Sequence, residues 1–249
     1  MHRQNIIITG ASSGLGQGMA IEFAKQGCNL GLCARRTERL DALKSQIESI
    51  NPNVNVWLLP LDVNDHQQVF DVFEQFTQLM GQVDRIIVNA GMGKGGSIGT
   101  GLFEANKQTA QTNFIAALAQ CEAAMSIFRK QNAGHLVTVS SISALRGFRR
   151  AMTVYAATKA GLSSLSEGIR LDVMNTPIKV TCVHPGYIKT EINDHADGAL
   201  FMVDAETGCK AMVKAINKEP ANCYVPSYPW AMIQLILRIL PDKFLRKMS

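Results

Sequence analysis

The chain has 249 residues, 47% of them apolar and 18% charged, with 20 glycines and 8 prolines. That is enough apolar material to bury a sizeable core and too little charge for a disordered chain. The net charge of +5 comes from scattered Lys and Arg, which gives no ground for a nucleic-acid partner and leaves room for an anionic cofactor or substrate.

Asn5-Ile-Ile-Ile-Thr9 is the short, continuously apolar run that a buried parallel strand needs. It leads into Gly10-Ala-Ser12-Ser13-Gly14-Leu15-Gly16, whose glycines permit a tight turn and the close approach of a pyrophosphate to the backbone. A helix predicted from about Leu15 to Gln26 offers its first amides to such an anion.

Asn29 to Ala34 is the second predicted strand. A dinucleotide fold selecting NAD places an acid beyond this strand for the ribose 2′-hydroxyl, but this chain has Arg35-Arg36. Guanidinium forks match a 2′-phosphate, so NADP(H) is the expected cofactor, with Arg35 the stronger candidate because it follows the strand directly. The alternative is that both arginines cap a surface helix beginning near Thr37.

A helix from Thr37 to Ser49, a strand from Val54 to Leu59 ending in Asp62-Val63, a helix from His66 to Leu79 and a strand from Asp84 to Asn89-Ala90-Gly91 follow. The alternation predicts an α/β fold, a doubly wound parallel sheet of Rossmann-like type in three α/β/α layers with right-handed crossovers. Ligands of such a sheet sit at the carboxyl ends of the strands, where Gly10, Asp62, Asn89 and Ser141 all fall.

The glycine-rich stretch Met92 to Thr100 reads as a mobile loop with Lys94 toward solvent, and Phe103 to about Lys130 as one helix. Asn113 inside that helix needs a partner for its amide if buried, either as a structural bridge or as part of a site; the residues alone favour the bridge. Val137-Thr-Val-Ser-Ser-Ile-Ser143 reads as a strand ending in hydroxyls. Tyr155 and Lys159 then fall on one face of the next helix, which is expected to run to about Val173. There a fixed ammonium favours the phenolate and lowers the tyrosine pKa.

Ile178 to His184 is another buried strand, followed by Pro185-Gly186-Tyr-Ile188-Lys-Thr190. Glu191 to Val203 has no clean period and is either a lid or an ordinary surface loop. We take 191–210 as a substrate lid and 229–249 as an apolar tail within one domain, 1–249. Six cysteines, Cys28, Cys33, Cys121, Cys182, Cys209 and Cys223, form no C-x-x-C pair and read as buried hydrophobes of a reducing compartment. A strand starts too early to leave room for a signal peptide, so a cytoplasmic location is expected. No metal site is expected, since His184 and His195 are isolated.

The tail, Trp230-Ala-Met-Ile-Gln-Leu-Ile-Leu-Arg-Ile-Leu240, precedes Lys243, Arg246 and Lys247. It is too short to span a bilayer and too apolar to lie free in water. It must cover the substrate cleft, meet another subunit, or rest on a lipid surface as a peripheral contact; burial within the protein is favoured.

Taken together, Thr9 to Gly16, Asn89-Ala90-Gly91, Asn113, Ser141, Tyr155-x-x-x-Lys159 and Pro185-Gly186 resemble the short-chain dehydrogenase/reductase family in the family's order, over roughly residues 4 to 190. The resemblance implies that Tyr155 is the acid or base, that Ser141 steadies the substrate oxygen, and that Lys159 tunes Tyr155 and reaches the nicotinamide ribose. It also moves Asn113 into the site, holding a water on a proton path. The family's usual serine position, thirteen residues before the tyrosine, is Ile142 here; Ser141 aligns best, with Ser143 as helper or alternative.

By the same resemblance Gly10, Gly14, Leu15 and Gly16 meet the pyrophosphate and Ser12 and Ser13 a phosphate or ribose. Asp62 and Val63 flank the adenine, Asn89, Ala90 and Gly91 line the central path, and Pro185, Gly186, Ile188 and Thr190 hold the carboxamide end. The implied protein is an NADPH-dependent oxidoreductase interconverting a carbonyl and an alcohol, on a lipophilic ketone, aldehyde or 3-oxoacyl-type substrate. A homodimer or homotetramer, paired through the helices carrying Asn113 and Tyr155, is implied as well. The alternative is a catalytically silent NADP(H)-binding regulatory protein of the same fold.

Overall fold

Ile6, Ile7 and Ile8 are all fully buried, and successive strand side chains point to opposite faces, so the first strand requires cover on both sides. A computed structural model describes residues 3–191 and 201–248 and supplies that cover. Its strands are β1 (Asn5–Thr9), β2 (Asn29–Ala34), β3 (Val56–Pro60), β4 (Arg85–Val88), β5 (Gly134–Val139), β6 (Ile178–Pro185) and β7 (Asn222–Val225). They form one parallel sheet in the order β3-β2-β1-β4-β5-β6-β7.

The helices of one face are α1 (Gly14–Lys25), α2 (Thr37–Ile50) and α7 (Ala205–Ile216); Met19, Phe23, Leu40 and Met212 from them pack with Ile6 and Ile8. Those of the other face are α3 (His66–Met80), α4 (Phe103–Ala110), α5 (Ala116–Gln131) and α6 (Met152–Asp172); Phe73, Phe128 and Leu162 pack there with Ile7 and Ile86. Local signals set the ends. Asp65 accepts from the Gln68 amide at 3.1 Å to start α3, Asp204 does the same for Thr207 at 2.8 Å in α7, and left-handed Asn132 closes α5. The strand order reverses between β1 and β4, which opens a crevice at their carboxyl ends.

Four expectations change. The helix foreseen from Phe103 to Lys130 is broken by a π-helical turn, Gln111–Ile115, with Asn113 at its centre. The glycine-rich loop after β4 is tied down. Buried Asn106 both accepts from the Gly96 amide (3.0 Å) and donates to its carbonyl (3.3 Å), and Thr109 holds the Lys94 carbonyl. The 191–210 lid is cut short, because from Ala205 the chain is α7, with Gly208 packed on Ile188 and Cys209 on Gly18 of α1. Residues 192–200, His195 among them, lie outside the described residues. The tail forms α8 (Ser227–Ile239) and α9 (Asp242–Met248), and only part of it is buried: Trp230, Leu237 and Leu245 pack on Ile142.

Candidate active site

The glycine turn between β1 and α1 sets one wall of the crevice. Gly10 and Gly14 adopt φ of 64° and 57°, the left-handed region, and a Cβ on Gly16 would collide with the Gly10 carbonyl, so the helix can start hard against the turn. Thr9 and Asn89 stitch the two strands at the switch point. The Thr9 hydroxyl accepts from the Asn89 amide (3.1 Å) and the Ala90 amide (3.2 Å), while the Asn89 side chain donates to the Thr9 carbonyl (2.9 Å). Asn89 therefore braces the turn, and Ala90 packs on the core. Across the crevice the Thr190 side chain faces Gly14, 3.5 Å from where a Cβ would stand.

Arg35 and Arg36 diverge. Arg35 is exposed and lies 3.9 Å from Asp62, a loose pair. Arg36 turns back over the glycine turn, donating to Ser13 Oγ at 2.6 Å and Ser12 Oγ at 3.3 Å, with Glu191 at 3.4 Å on its outer side. The nearer residue to the strand is thus not the one that reaches the turn. Arg36 is the residue that caps the approach to α2, and that bend aims its side chain inward. Leu15 and Val63 also pack against the apolar cores on the two faces of the sheet.

On the β4–β5 side, the π-helical turn presents Asn113. Its Oδ1 accepts from the Met92 amide and its Nδ2 donates to the Met92 carbonyl, both at 2.8 Å, with Thr158 of α6 at 3.4 Å. This is the bridge read from the residues alone, and it brings Asn113 beside Gly91 and Lys159, since a Cβ on Gly91 would lie 3.3 Å from Asn113 Oδ1 and 3.5 Å from Lys159 Nζ.

Tyr155 and Lys159 share one face of α6, with the ammonium 5.8 Å from the phenol ring centroid. Lys159 is buried and donates to the Val139 carbonyl at 2.8 Å; loss of hydration brings its pKa down to about 8. The Tyr155 hydroxyl lies within hydrogen-bonding reach of Ser141, and its pKa moves opposite to the sequence expectation. Burial pushes the phenol up, the Ser141 hydrogen bond opposes this, and Tyr187 nearby adds to the rise. Removal of water from the phenolate outweighs the Ser141 contact.

The two candidate serines are hydrogen-bonded to each other. Ser141 Oγ accepts from the Ser143 amide (3.2 Å) and hydroxyl (2.9 Å), so Ser143 supports Ser141 from behind while Ser141 faces Tyr155. Ile142 turns away into the tail cluster. Gly186 donates to the Val225 carbonyl at 2.8 Å, and the Trp230 indole packs flat against it, with Tyr187 edge-on at 5.6 Å. Tyr187 and Trp230 were not foreseen as site residues. The apolar character of the tail was the available signal, without a sign of where it folds back. Ile188 is buried and bridges Val203. Among the described residues no cluster of His, Cys, Asp or Glu is arranged to hold a metal ion, and no helix is long and apolar enough to cross a membrane.

A glycine turn at the switch point of a parallel sheet, facing a Ser-Tyr-Lys group, defines a dinucleotide-dependent oxidoreductase of the α/β class. The short chain dehydrogenase family pattern matches residues 4–199, and the chain belongs to the short-chain dehydrogenase/reductase family, whose cofactor is a nicotinamide dinucleotide. It is 45% identical over 247 residues to an uncharacterized oxidoreductase of Mycobacterium tuberculosis, covering 99% of this chain and 98% of the relative. The fold superposes with a TM-score of 0.85 on a short-chain dehydrogenase/reductase from Burkholderia phymatum in complex with NAD, at 20% identity over 99% of this chain and 96% of that one. An alcohol dehydrogenase from Thermococcus sibiricus complexed with 5-hydroxy-NADP gives 0.79, at 20% identity over 90% and 96%.

Proposed function

We propose that this oxidoreductase uses NADP(H) to interconvert a carbonyl and an alcohol, with Tyr155, Ser141, Lys159 and Asn113 as its catalytic group. The observation that carries the chemistry is the Ser141–Tyr155 pair above buried Lys159, at the crevice where a dinucleotide fits. The fit rests on the left-handed glycine turn and on Gly91, whose missing side chain leaves Asn113 and Lys159 close against the backbone. When bound, the nicotinamide supplies hydride to the carbonyl carbon or takes it from the alcohol. Tyr155 passes its hydroxyl proton to the carbonyl oxygen, and a phenol held neutral by burial is already in the donor form at neutral pH. Ser141, its oxygen oriented by two donors from Ser143, steadies the substrate oxygen as negative charge develops there. Lys159 keeps a positive charge beneath the pair and would reach the nicotinamide ribose. The protein is read as cytoplasmic and as a homodimer or homotetramer paired through α5 and α6.

Cofactor choice rests on Arg36 with Arg35 beside it. Arg36 already spans both serines of the glycine turn, where a 2′-phosphate provides the bidentate anion that guanidinium prefers. Tyr187 and Trp230 give the substrate side an aromatic wall, which favours a lipophilic ketone, aldehyde or 3-oxoacyl-type substrate. Initial rates over a carbonyl panel, with NADPH and with NADH, test the reading. NADPH should be favoured by about tenfold or more, and Arg36→Asp should erase that preference. Equal efficiency with both cofactors overturns the NADP(H) assignment. Tight cofactor binding with no turnover on any carbonyl favours the silent regulatory protein.

A further inference from the structure

α8 has two apolar faces, and the fold uses one of them. At about 100° per residue, Trp230, Ile233 and Leu237 lie along one side and turn inward onto Ile142, Leu145 and Tyr187. Met232, Leu235, Ile236 and Ile239 recur at the i, i+3, i+4, i+7 spacing of a second stripe, and they are 62%, 61%, 55% and 82% exposed. Tyr228 before them and Phe244 on α9 extend the patch at 77% and 53%. Scattered exposed apolar residues are ordinary, but a continuous stripe on one helix face is not.

The surround of the stripe is basic. Arg238 is exposed on α8, and Lys243 and Arg246 of α9 join Arg149 in lining an open cavity of about 580 Å³. The one acid in that lining, Asp242, is paired to Arg146 at 2.8 Å. A second copy of the chain docked here about a two-fold axis would bring two copies of the same basic rim, Arg238, Lys243 and Arg246, into one interface with only Asp242 in the cavity lining to offset them. An anionic bilayer neutralises the same charges while the stripe enters the headgroup boundary.

We propose that α8 and α9 form a peripheral docking surface for anionic lipid bilayers, with the Met232–Ile239 stripe inserted and Arg149, Lys243 and Arg246 against the headgroups. Because α8 also carries Trp230 against Gly186 and Tyr187, docking sets the aromatic wall of the cleft at the membrane boundary, where apolar carbonyl compounds concentrate.

Flotation of the full chain with phosphatidylcholine vesicles, with and without phosphatidylglycerol, tests this. Binding is expected only to the anionic vesicles and should weaken with salt. The double variant Leu235→Ser/Ile239→Ser and, separately, Lys243→Glu/Arg246→Glu should each lower vesicle affinity by about tenfold or more. Both should keep the melting temperature and the oligomeric mass of the unaltered chain. Failure to bind anionic vesicles, equal binding to pure phosphatidylcholine, or a fall in oligomeric mass in the serine variant overturns the proposal, the last by making a second copy the occupant.

Discussion

Both ends of the parallel sheet carry a buried polar cluster, and the two differ in how completely the cluster satisfies itself. At the amino ends, Arg85 of β4 donates to His135 Nδ1 (2.9 Å) and Asn217 (2.8 Å), His135 Nε2 meets Thr181 (2.8 Å), and Glu219 takes Arg3 at 2.7 Å. His135 is held neutral, with its pKa well below the usual range, by burial and by the Arg85 and Arg3 cations. That neutrality leaves Nδ1 free to accept. At the carboxyl ends, Lys159 is also buried but is given one backbone carbonyl, and Tyr155 has Ser141 beside it and the Lys159 ammonium 5.8 Å from its ring. Mutual satisfaction makes the first cluster rigid and inert. Partial satisfaction costs stability in the second and keeps donors available for a ligand.

The comparison is broken most sharply at Tyr155. Tyr155→Phe should cut turnover by about ten-thousandfold, removing only the transferable proton, with the melting temperature nearly unchanged. Steady-state rates beside a thermal melt check this; retained activity would mean that another group supplies the proton.

Glu219→Gln should do the reverse. It leaves the Arg3 and Arg85 guanidinium groups without their carboxylate and should cost about 3–5 kcal/mol in denaturant unfolding. Activity per folded molecule should stay unchanged, and a selective loss of turnover would show that the two ends are coupled.

Lys159 gives the smallest effect and the finest distinction. Its folded pKa, about 8, lies below the ordinary 10.5, so below pH 8 both states carry the proton and the folded state bears the full cost of burying it. As pH rises from about 8 to 10.5 the folded protein gives up its proton first, the unfolded chain binds more, and stability rises. The cofactor-free protein should therefore gain roughly 2–3 kcal/mol across that window. Lys159→Met should flatten the rise and raise stability at neutral pH. An identical pH slope in the variant would assign the titration elsewhere.

Much of this was legible from one dimension. Strand–helix alternation and the unbroken Ile6-Ile7-Ile8 run dictate a sheet covered on both faces, and the spacing of Tyr155 and Lys159 dictates that they share a helix face. Ser141 is chosen, with Ser143 as alternative, because the double serine after the strand aligns best with the family's serine, and Ile142 between the two packs on the tail. The arginine ranking was not legible. Whether Arg35 or Arg36 points at the glycine turn depends on the bend between β2 and α2, not on distance from the strand end. Nor was the π-helical turn at Asn113, because an extra residue in a helix leaves the local apolar period nearly intact.

Periodicity and spacing are properties of neighbouring residues, so the sequence by itself determined the element order, the two-sided sheet and the shared helix face of Tyr155 and Lys159. Hydration and side-chain direction are set by atoms far apart in the chain. Tertiary structure alone decided that burial raises the Tyr155 pKa, that Arg36 reaches Ser12 and Ser13, and that α8 turns one apolar face toward Ile142 and the other outward.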